Sequence, residues 1–266
     1  MRSPLAWLIV AVAFVGCAAP PTTWTEPLTG LEFVLLPAGE FDMGSLESER
    51  GHEAGERRHR VRFTRPIYFG RYEVTQGQWS RVLGGSPSHF GDCGALCPVE
   101  NVNALEVEVF LERLRKLTGE AFRLPTEAEW EYACRAGSTT PFSTGRELTS
   151  AQANFDARYP YPGSPTGVFV GRTAPVGSYA ANPWGLFDLH GNVWEWCQDE
   201  LCPYPDEAGP ARPASDPVGA CASGLRVIRG GSWTFNGDSA RCAVRYSHRP
   251  EDRGPSLGFR LVREGL

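Results

Sequence analysis

Leu124-Pro-Thr-Glu-Ala-Glu-Trp-Glu-Tyr-Ala-Cys-Arg-Ala-Gly137 carries the plainest local signal in the chain. Pro125 stands ahead of Thr126, and Thr126 with Glu129 three positions on makes a capping box, in which each side chain accepts a backbone N–H at a helix start. Trp130, Tyr132 and Ala133 follow, so the stretch predicts a short helix that ends near Ala136. Upstream, Thr75 reads as the N-cap of a helix running through Trp79 to Leu83. A third helix is expected from about Asn103 to Leu117, with Leu105, Val109, Leu114 and Leu117 near one face and Gly119 as its stop. Phe33–Leu36 and Val61–Phe69 read as strands, the second alternating apolar with polar. Short strands are also expected at Val193–Cys197, Arg226–Arg229 and Phe259–Val262. The charged run from Glu47 to Arg62 reads as a solvated loop.

Composition says what lies between these elements. The chain of 266 residues holds 30 Gly and 22 Pro, and both residues punctuate regular structure. A hydrophobic share of 41 % and a charged share of 21 % suit a packed domain and not a disordered one. The fold class is therefore α+β, irregular and loop-rich. A net charge of −5 gives no basic face for a nucleic acid. After the first twenty residues no apolar run is long enough for a membrane span, which excludes a polytopic membrane protein.

The start of the chain reads as an address. Arg2 precedes an uncharged apolar stretch, too short for a spanning helix, that ends in Phe14-Val15-Gly16-Cys17. This ending resembles a bacterial lipobox. Residues 1–16 are then a lipoprotein signal peptide, Cys17 carries the lipid, and 17–30 form a tether of Pro and Thr. The domain proper spans 31–266. Such a protein is exported to the bacterial envelope and attached to a membrane (outer membrane or cell surface) through its lipid. An oxidising compartment makes its thiols disulfide candidates first.

Six segments in order carry a family resemblance. They are Phe33-Val-Leu-Leu-Pro-Ala-Gly-Glu-Phe-Asp-Met-Gly44, Tyr72-Glu-Val-Thr75, the Leu124–Gly137 stretch, Gly191-Asn-Val-Trp-Glu-Trp196, Arg229-Gly-Gly-Ser-Trp233 and Gly258-Phe-Arg-Leu-Val262. Together they resemble the formylglycine-generating enzyme, or sulfatase-modifying factor, family. The resemblance implies a variant of the C-type lectin fold. It also implies an oxidase in which two cysteines, five positions apart after the Arg-Gly-Gly-Ser-aromatic motif, hold copper(I); soft thiolates select that ion. Here the stretch from Trp233 to Arg241 contains no Cys. Copper is not expected, and no catalytic residue is assigned.

Other chemistry is thin in the sequence. His52 and His59 lack the His-Glu-x-x-His spacing of zinc proteases, and no Gly-x-Ser-x-Gly elbow occurs. Cys197 and Cys202 are five apart but follow the wrong motif for the oxidase pair. If Cys17 is lipidated, seven cysteines remain, an odd number. Proximity suggests Cys93–Cys97 and Cys202–Cys221, and the resemblance implies Cys134–Cys242. Cys197 is left as the buried free thiol. The resemblance further implies a structural Ca²⁺ held by Asp188 and Glu195 side chains with the Gly191 and Val193 carbonyls; hard oxygens in a tight loop suit that ion. A second family calcium site would begin at Asn154-Phe155, but its downstream position, Val168, has no donor side chain. Ser232, Trp233 and Arg245 are expected near the family groove. The expected function is a non-oxidase binding or scaffolding module for an envelope protein or peptide; the alternative is an oxidoreductase or another protein- or precursor-modifying enzyme using a non-standard site.

Overall fold

The computed structural model describes residues 22–204 and 213–265. The lipobox, Cys17 and the signal segment lie outside the described residues. In chain order the strands are β1 (Thr23–Thr25), β2 (Glu32–Leu36), β3 (Gly39–Met43), β4 (His59–Phe63), β5 (Ile67–Gly70) and β6 (Phe122–Arg123). They continue with β7 (Trp194–Glu200), β8 (Ala214–Ser215), β9 (Arg226–Arg229), β10 (Tyr246–His248), β11 (Leu257–Gly258) and β12 (Val262–Arg263). The helices are α1 (Gln76–Leu83), α2 (Ala104–Thr118) and α3 (Glu127–Arg135). Three small sheets result, with strand orders β1-β2-β5-β12-β6, β10-β9-β7-β11 and β3-β4-β8. This is the α+β, loop-rich architecture expected from the Gly and Pro content. None of the described helices is long and apolar enough to cross a membrane.

All three helices start at capping boxes, on Thr75, Asn103 and Thr126, each reciprocated by the residue three positions on. The five-stranded sheet is covered on both faces, because successive strand residues point to opposite sides. Phe33 and Phe122 face a core built with α1 and α2, where Trp79 stacks on Phe110 at 5.2 Å. Val34, Leu36 and Phe69 face α3, which packs Trp130, Ala133 and Cys134 between this sheet and Cys197 and Val227 of the four-stranded one. Every residue of α3 is buried. Its three carboxylates are each matched by arginine: Glu127 by Arg245, Glu129 by Arg123, and Glu131 by Arg135 and Arg229.

Five sequence expectations need correction. The strand expected at Phe259–Val262 is two short ones, β11 ending at Gly258 and β12 beginning at Val262, and residues 259–261 between them lie in no strand. Val61–Phe69 is not one strand: β4 ends at Phe63 and β5 begins at Ile67, in different sheets. Pro66 between them lacks the N–H a continuous ladder needs. The buried stripe of α2 is Ala104, Val107, Phe110, Leu111 and Leu114, whereas Leu105, Val109 and Leu117 are exposed. The i, i+4 spacing of Leu105 and Val109 marks a face one step round from the core-facing one. The charged run Glu47–Arg62 is solvated only in part, since buried Glu56 takes both Arg241 nitrogens at 2.8 and 2.9 Å and the Ser45 hydroxyl at 2.6 Å. The segment assigned to the tether enters the fold, because β1 pairs with β2 and the Glu26 carboxylate accepts from the Leu28 and Thr29 N–H groups.

Candidate functional site

β9 delivers the chain into Gly230-Gly231-Ser232-Trp233. The Trp233 N–H bonds the Asn192 carbonyl at 2.9 Å, and its indole N–H donates to the Pro255 carbonyl at 3.0 Å. The fixed indole is the centre of an aromatic arc. Phe90 meets it edge-on at 5.4 Å and Phe169 lies parallel at 6.2 Å. The Arg158 guanidinium sits 4.0 Å above Phe169, and Arg172 lies 5.3 Å from the Phe90 ring. Ser232 Oγ, next to the indole in sequence, and Trp194 Nε1 are buried and have no hydrogen-bond partner among the described residues. The two are linked through Phe235, which closes a turn on the Ser232 carbonyl and packs edge-on against Trp194. Beyond Phe235 the chain makes a 3₁₀ turn, Gly237–Ala240, capped by the Asn236 side chain.

Arg245 is not part of this arc. Its guanidinium grips Glu127 at 2.6 and 2.8 Å, donates to the Gly55 and Cys202 carbonyls, and lies 3.6 Å over the Tyr204 ring. Three residues separate it in sequence from Arg241, but its side chain is drawn to the α3 carboxylate. The expected trio of Ser232, Trp233 and Arg245 is therefore a pair plus a structural arginine.

A second constellation lies behind the arc. Glu195, on β7, is fully buried and takes Arg260 through both oxygens at 2.6 Å and Trp130 Nε1 at 2.7 Å. Glu73 accepts from Asn192 Nδ2 at 2.7 Å and from the Val193 N–H at 3.2 Å. Asp188, in the left-handed region at φ 59°, accepts from the Gly177 N–H at 2.7 Å. Burial, then the charges of Asp188 and Glu195, push the Glu73 carboxyl well above its usual range. Burial likewise raises Asp188 to about 6. Three carboxylates thus crowd around one arginine.

The chain matches the family described as the Sulfatase-modifying factor enzyme 1-like domain over residues 21–265. It belongs to the sulfatase-modifying factor family. The formylglycine-generating enzyme of Mus musculus is 33 % identical over 92 % of this chain and 78 % of its own length. A protein named serine/threonine-protein kinase pkn1 from Chlamydia caviae is 39 % identical over 53 % of this chain, and the match spans only 21 % of that protein. Among solved structures, PvdO from Pseudomonas aeruginosa superposes with a TM-score of 0.77 at 30 % identity, covering 93 % of this chain and all of that one.

In this sulfatase-modifying factor domain the stretch from Trp233 to Arg241, where the resemblance puts the oxidase thiols, holds Phe235 and the 3₁₀ turn and no Cys. Disulfides join Cys93–Cys97, Cys134–Cys242 and Cys202–Cys221, and Cys197 is a buried free thiol. Burial raises the Cys197 thiol well above the ordinary range, which keeps it protonated and inert. His190 lies beside Cys134 with Nδ1 bonded to the Ala240 carbonyl at 2.8 Å, and burial lowers it to about 4.

The residues named for calcium are only partly gathered. Asp188 and Gly191 line a small cavity of about 20 Å³ together with Asn154, while Val193 and Glu195 are not in its wall. Asn154 Oδ1 is buried without a partner. A side chain at Gly191 would put Cβ 2.3 Å from the Asn154 carbonyl, so only glycine allows this close approach. The donor set is hard oxygen with surplus negative charge, which fits Ca²⁺ in kind. Glu195 is committed elsewhere, since Arg260 and Trp130 take both of its oxygens. Sequence reasoning missed Glu73 and Arg260. Each was a charged residue inside an apolar motif, Tyr72-Glu-Val and Phe259-Arg-Leu, and that misfit was the available signal.

Proposed function

We propose that this protein is an envelope lipoprotein whose sulfatase-modifying factor domain binds and does not oxidise, holding an extended peptide or envelope protein along the arc at Trp233. One observation carries the reading: Trp233, pinned by Asn192 and Pro255, forms a half-exposed aromatic arc with Phe90 and Phe169, at the head of a stretch without cysteine. Rigid, half-exposed aromatic rings flanked by guanidinium groups offer a peptide contact area at low entropic cost. Soft-metal oxygen chemistry needs thiolates that this stretch does not have. The lipid on Cys17 supplies attachment, since a multiply acylated cysteine holds a membrane where one chain does not. Ca²⁺ is inferred at the Asp188 cavity as a structural ion, supported by the Asp188 carboxylate and the unpartnered Asn154 Oδ1 in its wall.

The test has two arms. Incubation with a Cys-x-Pro-x-Arg peptide, copper(I), reductant and oxygen should leave the peptide mass unchanged; the mass loss of thiol-to-aldehyde conversion overturns the non-oxidase reading. Cross-linking to envelope extracts should capture a species with wild type that Trp233→Ala, folded by circular dichroism, does not capture. Equal capture by both removes the arc from the reading.

A further inference from the structure

On the other side of α3 from Trp130 lies a cavity of about 290 Å³ that the proposed function does not use. Met43, Ala128 and Val218 give it apolar wall, and its ionisable lining is Asp199, Glu127, Glu200, His59, Tyr204 and Arg245. Asp199 is buried, and its oxygens accept only from backbone, the Gly219 N–H at 2.6 Å and the Glu127 N–H at 2.8 Å. Among the described residues no arginine, lysine or histidine forms an ion pair with it; the nearby charges that act on it are the Glu127 and Glu129 carboxylates. His59 Nδ1 lies 3.0 Å from the Arg57 carbonyl, which can only accept, so Nδ1 carries the hydrogen and Nε2 is left as an acceptor. Its ring packs on Tyr204 at 4.5 Å. Among the described residues the one guanidinium in the wall, Arg245, spends its donors on Glu127, Gly55 and Cys202. Among the described side chains of the wall, acceptors therefore face this cavity and free donors do not.

We propose that the cavity is a binding site for a small alkylammonium ion. Such a ligand is donor-only at its head, carries the charge that buried Asp199 lacks, and has a tail suited to apolar walls. A buried carboxylate without a cation is costly, and pairing it inside a low-dielectric cavity is worth more than at a surface. An anion would meet carboxylates with no donor to receive it. A neutral alcohol would gain the walls and not the charge.

The experiment is a titration of the purified domain with n-butylammonium, followed by amide chemical shifts at Gly219 and Tyr204, with butanol and butyrate as isosteric controls. Saturable shifts with butylammonium are expected near neutral pH, with both controls at least about tenfold weaker. Affinity should fall on acidification, because burial holds the Asp199 carboxyl at about 6 and the protonated acid loses its attraction. Asp199→Asn should weaken binding by about tenfold or more. Val218→Trp, at a position 55 % exposed, should fill the mouth and abolish binding without changing the melting temperature. The proposal is overturned if butanol binds as well as butylammonium, if no saturable shift appears at those residues, or if either variant binds like wild type.

Discussion

Glu195 and Arg260 form a two-pronged ion pair in which neither side chain is exposed to solvent, with both contacts at 2.6 Å. It ties β7 to the loop between β11 and β12, and Arg260 extends it to the Gly70 and Phe187 carbonyls. Removing one partner of such a pair leaves a bare buried charge, so Arg260→Ala should cost about 3–5 kcal/mol in urea unfolding. Glu195→Gln should be milder, since its amide can still accept from Trp130. A double substitution that removes both charges and fills the space should cost less than Arg260→Ala alone. Additive losses would show that the two residues do not act as a pair.

The three disulfides should rank by the chain they enclose. Cys134–Cys242 spans a separation of 108, Cys202–Cys221 of 19 and Cys93–Cys97 of 4. On the loop-entropy account the first contributes about 4–5 kcal/mol and the second about 3, with the third least. Paired Cys→Ala variants compared by denaturant midpoint check the order. Equal losses for the longest and the shortest loop would contradict it.

If Ca²⁺ occupies the Asp188 cavity, binding to the folded state alone raises the melting temperature by mass action, about 2.7 kcal/mol at a hundredfold excess over Kd. Chelator should remove the gain. The variant to use is Asp188→Asn and not Glu195→Gln, because Glu195 also holds Arg260 and would confuse ion loss with core damage. Calcium-dependent melting that survives in Asp188→Asn would move the ion elsewhere.

How much of this was legible before the structure depends on whether the signal is local. Capping boxes at Thr75 and Thr126 lie within four residues, and both helices begin where the sequence puts them. The motif order sufficed for the family because six short segments had to agree. What failed was non-local. The destination of Arg245 depends on Glu127, 118 positions away, and nothing in a Cys-Ala-Val-Arg run names that partner. The core face of α2 depends on which sheet it meets, and its exposed Leu and Val stripe competes with the buried one on periodicity alone. The turn at Pro66 was visible in the sequence, but the alternation across it outweighed one proline.

Two of the groups that shape the pH dependence of stability, His190 and Asp199, act in opposite senses. His190 is held near 4 by burial, below its ordinary 6.5, so between those values the unfolded chain binds the extra proton. Stability from His190 therefore rises with pH across about 4 to 6.5. Asp199 is held near 6, above its ordinary 3.8, so in nearly the same window the folded chain binds the extra proton. Stability from Asp199 falls as pH rises through that range. Each shift is about two units, worth roughly 3 kcal/mol, so these two contributions oppose each other, while the raised Asp188 and Glu73 carboxyls act in the same sense as Asp199. Asp199→Asn removes its own falling contribution. Its urea midpoint should climb more steeply than that of wild type between about pH 4.5 and 6.5, the extra rise being of order 1–3 kcal/mol. A slope equal to wild type would mean that Asp199 titrates like an exposed carboxylate. A slope shallower than wild type would reverse the sign worked out here.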